Sequence, residues 1–314
     1  MDRQAIRRRA CEHMRILLLG KDGQVGWELQ RALAPLGELR AFGRAAADLT
    51  DPESLRAQVR AFIPDVIVNA AAYTAVDKAE HDSSTAHTVN AVAPGVLAEE
   101  AAACGAWLIH YSTDYVFDGT KEKAWLETDT VNPLSVYGRT KCEGEKRIRA
   151  SGALHLILRT SWVFAPRGSN FAKTMLRLAK EREILQVVAD QYGAPTGAEL
   201  LADSTALALQ RIALANENGR SLSGTYHLAA AGCTTWHAYA QHVLAEAQTY
   251  GAILRAGPDA VQPIVASAFP TPATRPTNSH LDCSKFCTNF TLVLPDWRHH
   301  VNRLIAELAA QGNL

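Results

Sequence analysis

The 314-residue chain lacks any apolar run approaching the roughly 18 residues that span a bilayer, so no segment reads as membrane-crossing. It also lacks an excess of either charge: 32 Lys and Arg balance 32 Asp and Glu. No global field therefore recruits nucleic acid or an anionic membrane. Cysteine is present but without a pattern. Cys11, Cys104, Cys142, Cys233, Cys283 and Cys287 have neither disulfide-framework nor metal-ligand spacing. They read as reduced thiols of a cytoplasmic protein. Internal repeats and low-complexity tracts are missing as well. Residues 1–13 carry Arg7, Arg8 and Arg9 with no apolar core after them, which excludes a secretory signal. They read as a disordered extension, with Met14 as the alternative start.

What is there is ordinary in composition, with 47% apolar and 20% charged residues. Short apolar strands at 15–19, 38–42, 65–69, 107–111 and 155–159 alternate with helical patterns. Nearly continuous apolar strands in that alternation predict an α/β fold, a Rossmann-like doubly wound parallel sheet. The dinucleotide-binding domain is expected over 14–162, with segments of about 184–216 returning to it. Residues 163–314 would form mainly a smaller C-terminal substrate-binding lobe, its 251–280 stretch rich in proline.

After the first strand comes Gly20-x-x-Gly23-x-x-Gly26. Gly20 can end the strand tightly, Gly23 lets a pyrophosphate approach, and Gly26 lets the helix pack on the sheet. The amides of Gly23, Gln24 and Val25 at the helix start are the expected anion donors. An acid about 20 residues on would hold the ribose of NAD; here the chain reads Phe42-Gly43-Arg44. Arg44 can cap a 2′-phosphate or be a solvated loop arginine. The first reading predicts a preference for NADPH, with some use of NADH.

Tyr137 and Lys141 stand four apart on a predicted helix, hence on one face. Thr113 follows the strand at 107–111, on the edge of an open sheet where ligands bind. A nearby ammonium and a charged nicotinamide would lower the tyrosine from its ordinary value near 10 toward proton transfer at neutral pH. This is the pattern of an enzyme moving a hydride and a proton at a carbinol carbon.

The Tyr137-x-x-x-Lys141 constellation resembles the extended branch of the short-chain dehydrogenase/reductase superfamily. The segments 20–30, 68–80, 110–119, 159–164, 170–175, 190–197 and 275–282 resemble the dTDP-4-dehydrorhamnose reductase family, across essentially Met14 to the C-terminus. The resemblance implies reduction of the 4-keto group of dTDP-4-dehydro-β-L-rhamnose, the last step of dTDP-L-rhamnose synthesis. It implies Tyr137 as proton donor, Lys141 as its partner and Thr113 as the tuning hydroxyl. Thr113 and Asp114 would contact the sugar, and Trp162, otherwise a core aromatic, would wall its pocket. Asp48, Leu49, Ala72, Tyr73, Thr74 and Tyr111 would border the cofactor. Some members form homodimers around magnesium held by glutamates matching Glu28 and Glu199, which without the resemblance read as surface residues. Two other functions compete. A nucleotide-sugar 4,6-dehydratase would carry Asp-Glu after the threonine, where this chain has Asp114-Tyr115, though an epimerase is less firmly excluded. The beta subunit of methionine adenosyltransferase, a non-catalytic regulatory subunit, resembles the same family; an intact Thr113, Tyr137 and Lys141 favours catalysis.

Overall fold

A computed structural model describes residues 13–314, so the expectation for 1–13 lies, His13 apart, outside the described residues. Six parallel strands form the main sheet: β1 Met14–Leu19, β2 Gly37–Phe42, β3 Val66–Asn69, β4 Trp107–Thr113, β5 Leu154–Thr160 and a late strand Gly224–His227. Their spatial order is β2-β1-β3-β4-β5 and then the late strand. The sheet is doubly wound and Rossmann-like as expected, in the 2-1-3-4-5 order, and its direction of growth reverses between β1 and β3. Ligands bind at such a switch point, outside the carboxyl ends of the strands.

Burial on both faces explains the continuous apolar strands. Ile16 and Leu18 of β1 face one core, with Leu29 and Leu33 of α1 (Gln24–Leu33) and Leu201 and Leu209 of the helix Ala198–Leu214. Leu17 and Leu19 face the other core, with Leu55, Val59 and Phe62 of α2 (Pro52–Phe62) and Val96 and Leu97 of α3 (Ala93–Cys104). Each such side chain contributes about 1.5–3 kcal/mol by leaving water, and a polar residue at either parity would lose that. Asp51 caps α2 by accepting from the Ser54 amide at 3.1 Å, with Pro52 in the first turn.

The helical run between Ser83 and Cys104 is interrupted. Ser83–His87 passes through a π-helical stretch, Thr88–Val92, before α3. The interruption places the buried Asn90 side chain against the Tyr73 backbone, accepting from its amide at 2.9 Å and donating to its carbonyl at 3.1 Å. Asn90 also donates to Thr140 Oγ1 at 3.2 Å, on the next helix, α4 (Val136–Ala150). A Cβ on Gly144 would strike the Asn90 carbonyl and one on Gly138 the Tyr115 carbonyl, so these glycines let α4 seat closely. Local winding thereby positions the helix that carries Tyr137 and Lys141.

After β5 the chain builds α5 (Phe171–Glu181) and small sheets. Val163–Phe164 pairs with Thr196–Gly197, Leu185–Val188 with Val261–Ile264, and Tyr192–Gly193 with Thr234–Thr235. Residues 198–227 then return to the main sheet as a helix and its sixth strand. The helices Trp236–Thr249 and Trp297–Ala310 meet through Tyr239 and Trp297, ring centroids 5.8 Å apart. No helix of the described residues is long and apolar enough to cross a membrane.

Candidate active site

A cleft of about 1220 Å³ opens over the β1/β3 switch point. It is bounded by the turn after β1, the ends of β2, β3 and β4, the start of α4, and residues 160–169. Gly20, Gly23, Gln24, Val25, Arg44, Asp48, Leu49, Ala72, Tyr73, Thr74, Tyr111, Thr113, Asp114, Tyr137, Lys141 and Trp162 all line it. Gly26 does not. A Cβ there would strike the Gly20 carbonyl, so Gly26 supports the turn from beneath.

The turn is shaped for a dinucleotide. Gly20 has φ +84°, and its missing Cβ would lie 2.7 Å from the Ala71 nitrogen. The Gly23 amide donates to the Gly20 carbonyl at 3.0 Å, which leaves Gln24 and Val25 to offer amides to an anion. No side chain caps α1, so that positive helix end is open to the cleft. Arg167, absent from the motif reading, adds a cation: it donates to the Asp22 carbonyl at 3.3 Å and stacks 4.2 Å over Trp27. Uncapped helix end, glycine cradle and cation together fit a pyrophosphate.

At the opposite end the side chains are buried and interlocked. Lys141 Nζ donates to the Tyr111 carbonyl at 2.6 Å and lies 3.1 Å from His110 Nε2. Burial pushes Lys141 down to about 8, against the opposing pull of Glu145. His110 is fully buried, and burial, then Lys141, holds it well below its ordinary value, so the imidazole is neutral. Asn69 Oδ1 accepts from the Ala71 amide at 3.1 Å, which turns its NH2 toward His110 Nδ1 at 3.2 Å. His110 therefore accepts at Nδ1 and carries its proton on Nε2, facing Lys141. That arrangement disfavours a proton on the lysine.

Tyr137 sits under an edge-on Tyr115, ring centroids 5.6 Å apart. Burial pushes its phenol up to about 12, with the Thr113 hydroxyl pulling down and Asp114 pushing up. The sequence reading counted an ammonium and a charged nicotinamide but not desolvation, which makes Tyr137 a phenol at neutral pH. Asp114 is pushed up to about 6 by burial, although Ser279 and Thr113 hydrogen-bond to it. Among the described residues its Oδ2 has no hydrogen-bond partner, nor has Thr160 Oγ1, and both residues line the cleft. Unpaired buried oxygens at that place suit the hydroxyls of a sugar.

Trp162 has φ +49°, a left-handed conformation that a bulky residue rarely adopts. Its ring stacks on Trp236 at 3.6 Å, and a Cβ on Gly193 would come within 2.6 Å of it. The strain is held by this packing and aims the indole along the cleft wall.

Glu28 and Glu199 lie outside this cleft, in a small separate pocket. Glu199 accepts from Arg303 at 2.9 and 3.2 Å, and Glu28 pairs with Arg31 at 3.4 Å. Among the described residues, no three His, Cys, Asp or Glu are grouped to hold a metal ion. Motif reasoning also missed Asp22, Asn69 and His110. All three lie inside the motif segments, but nothing in the sequence says that the His110 ring meets Lys141.

A switch-point cleft with a glycine-turn anion site at one end and a buried Tyr–Lys pair at the other defines a nicotinamide-dependent oxidoreductase. The family model described as RmlD substrate binding domain matches residues 14–310. The chain is 55% identical to the dTDP-4-dehydrorhamnose reductase of Escherichia coli (strain K12), over 94% of this chain and 98% of that protein. It is 48% identical to the protein of the same name from Burkholderia thailandensis, over 95% of this chain and 100% of the other. A crystal structure of dTDP-4-dehydrorhamnose reductase from Bacillus anthracis in complex with NADP superposes with a TM-score of 0.83 at 31% identity. That match covers 94% of this chain and 99% of that one. The chain belongs to the dTDP-4-dehydrorhamnose reductase family.

Proposed function

We propose that this protein reduces the 4-keto group of dTDP-4-dehydro-β-L-rhamnose to give dTDP-L-rhamnose, the last step of dTDP-rhamnose biosynthesis, with NADPH preferred and NADH accepted. The observation that carries the reading is the clustering of Thr113, Asp114, Tyr137 and Lys141 at one end of a cleft whose other end is a dinucleotide cradle. The NADP in the Bacillus anthracis relative supports the cofactor.

When bound, the reduced nicotinamide supplies the hydride to the carbonyl carbon. Tyr137, a phenol at neutral pH, donates its proton to the carbonyl oxygen, and Thr113 hydrogen-bonds at the same place. Lys141 anchors the ribose next to the ring and, as an ammonium, stabilises the phenolate that remains. Asp114 Oδ2 and Thr160 Oγ1 bind sugar hydroxyls, and Trp162 forms the wall. Residues 14–162 with the returning 198–227 hold the cofactor, and the small sheets beyond residue 163 hold the sugar nucleotide. A 2′-phosphate would draw on Arg44. The setting is cytoplasmic. A magnesium-bridged homodimer through Glu28 and Glu199 has the least support, because both carboxylates already meet arginines. Chelation that changes neither activity nor mass in solution removes that idea.

The test supplies the dTDP-4-ketosugar and NADPH, follows nicotinamide absorbance and identifies the product. Stoichiometric oxidation with formation of dTDP-L-rhamnose is expected. Cofactor binding without oxidation would favour the regulatory-subunit reading.

A further inference from the structure

At the adenosine end of the cleft, the end of β2 offers no acid: Gly43 and Arg44 stand there. An acid nevertheless occupies the place. A Cβ on Gly43 would overlap Asp22 Oδ2, so the Asp22 carboxylate, carried on the glycine turn, lies over the residue after β2. The turn is tied down at this point, because the Gly20 and Lys21 amides both donate to the Phe42 carbonyl, at 2.9 and 3.1 Å. Asp22 Oδ1 accepts from Lys21 Nζ at 2.8 Å, while Oδ2 has no hydrogen bond among the described residues. Asp22, Gly43 and Arg44 all line the cleft. The neighbouring acid is already engaged: Asp48 accepts from the Thr50 amide at 2.9 Å and from Arg44 at 3.1 Å.

We propose that Asp22 is the acid that recognises the ribose hydroxyls of NADH, reaching from the glycine turn to the place where other dinucleotide folds use an acid at the end of the second strand. Gly43 is what makes room for it. A free carboxylate oxygen accepts from a ribose hydroxyl but repels a 2′-phosphate, so Asp22 and Arg44 pull cofactor choice in opposite directions. With NADPH bound, the carboxylate must swing away with Lys21. This rests on the nicotinamide-dependent reading above and names the residue that would let NADH serve alongside NADPH.

The test titrates NADH and NADPH into wild-type protein and Asp22→Asn without sugar, reading nicotinamide fluorescence, and then measures kcat/KM for each cofactor with the ketosugar. Asp22→Asn should weaken NADH about tenfold and leave NADPH equal or tighter. Gly43→Ala, whose methyl displaces the carboxylate, should shift the ratio in the same direction, with the melting temperature of each variant confirming that it folds. Unchanged NADH affinity, or equal weakening of both cofactors, overturns the proposal; the second result would make Asp22 a support of the pyrophosphate turn. The binding ratio is read without turnover. Two cofactors bound by a protein that leaves the ketosugar untouched would refute the proposed activity while leaving the role of Asp22 standing.

Discussion

The two ends of the cleft are built on opposite plans. At the reacting end, Lys141, His110, Asn69 and Asp114 are almost wholly buried: Asn69 bonds to His110, whose ring lies 3.1 Å from Lys141 Nζ, and Asp114 accepts from Thr113. At the glycine-turn end, Asp22 and Arg44 are largely exposed, with side chains 56% and 80% accessible, in ion pairs that water can replace. Burial gives the first set large shifts and one geometry. Exposure gives the second set weak, exchangeable interactions worth less than about 1 kcal/mol each. On the proposed function, chemistry is fixed where water is excluded, and cofactor choice is adjustable where it is not.

The comparison is broken most severely at Tyr137. Tyr137→Phe should lower kcat roughly 10³-fold while nicotinamide fluorescence shows unchanged NADPH affinity. A loss of cofactor binding instead would show that the tyrosine builds the site rather than donating within it. The next effect is on pH. Lys141 sits at about 8, ammonium below and amine above. With the ammonium as the working form, kcat should fall about tenfold per pH unit above that value. Asn69→Ala frees the His110 tautomer to accept from Lys141, so that limb should move to higher pH; a profile identical to wild type would show that the His110 tautomer does not set the Lys141 proton.

Trp162→Ala should raise KM for the ketosugar by about tenfold with cofactor affinity intact, measured by initial rates at saturating NADPH. Equal damage to both substrates would mean that the strained indole only supports the loop. The smallest effect belongs to the exposed end. Arg44→Ala should weaken NADPH by only about threefold, the scale of a solvated ion pair, and leave NADH unchanged in the same titration.

Legibility in the sequence follows the same division. The strands and their order of appearance could be read because burial on both faces demands continuous apolar runs, as in 15–19 and 65–69. Gly20, Tyr137 and Lys141 could be read because spacing along one turn or one helix face fixes their neighbours. The π-helical stretch at Thr88–Val92 could not, since it arises from Asn90 meeting Tyr73 and Thr140 from distant segments. The sixth strand, Gly224–His227, is too short to announce which sheet it joins. Asp22 escaped notice because an acid was sought at the end of β2, whereas the one present arrives through space from the turn after β1. The upward push on Tyr137 escaped notice because its neighbours were visible in sequence and its desolvation was not.

The central claim is that this cleft passes a hydride to C4 of the sugar nucleotide. NADPH carrying deuterium at both C4 positions of the nicotinamide, incubated with the enzyme and dTDP-4-dehydro-β-L-rhamnose, tests it by mass spectrometry and NMR of the product. One deuterium at sugar C4 of dTDP-L-rhamnose per NADPH oxidised is the predicted result. Bound NADPH that stays reduced, or a product without deuterium at C4, would contradict the account.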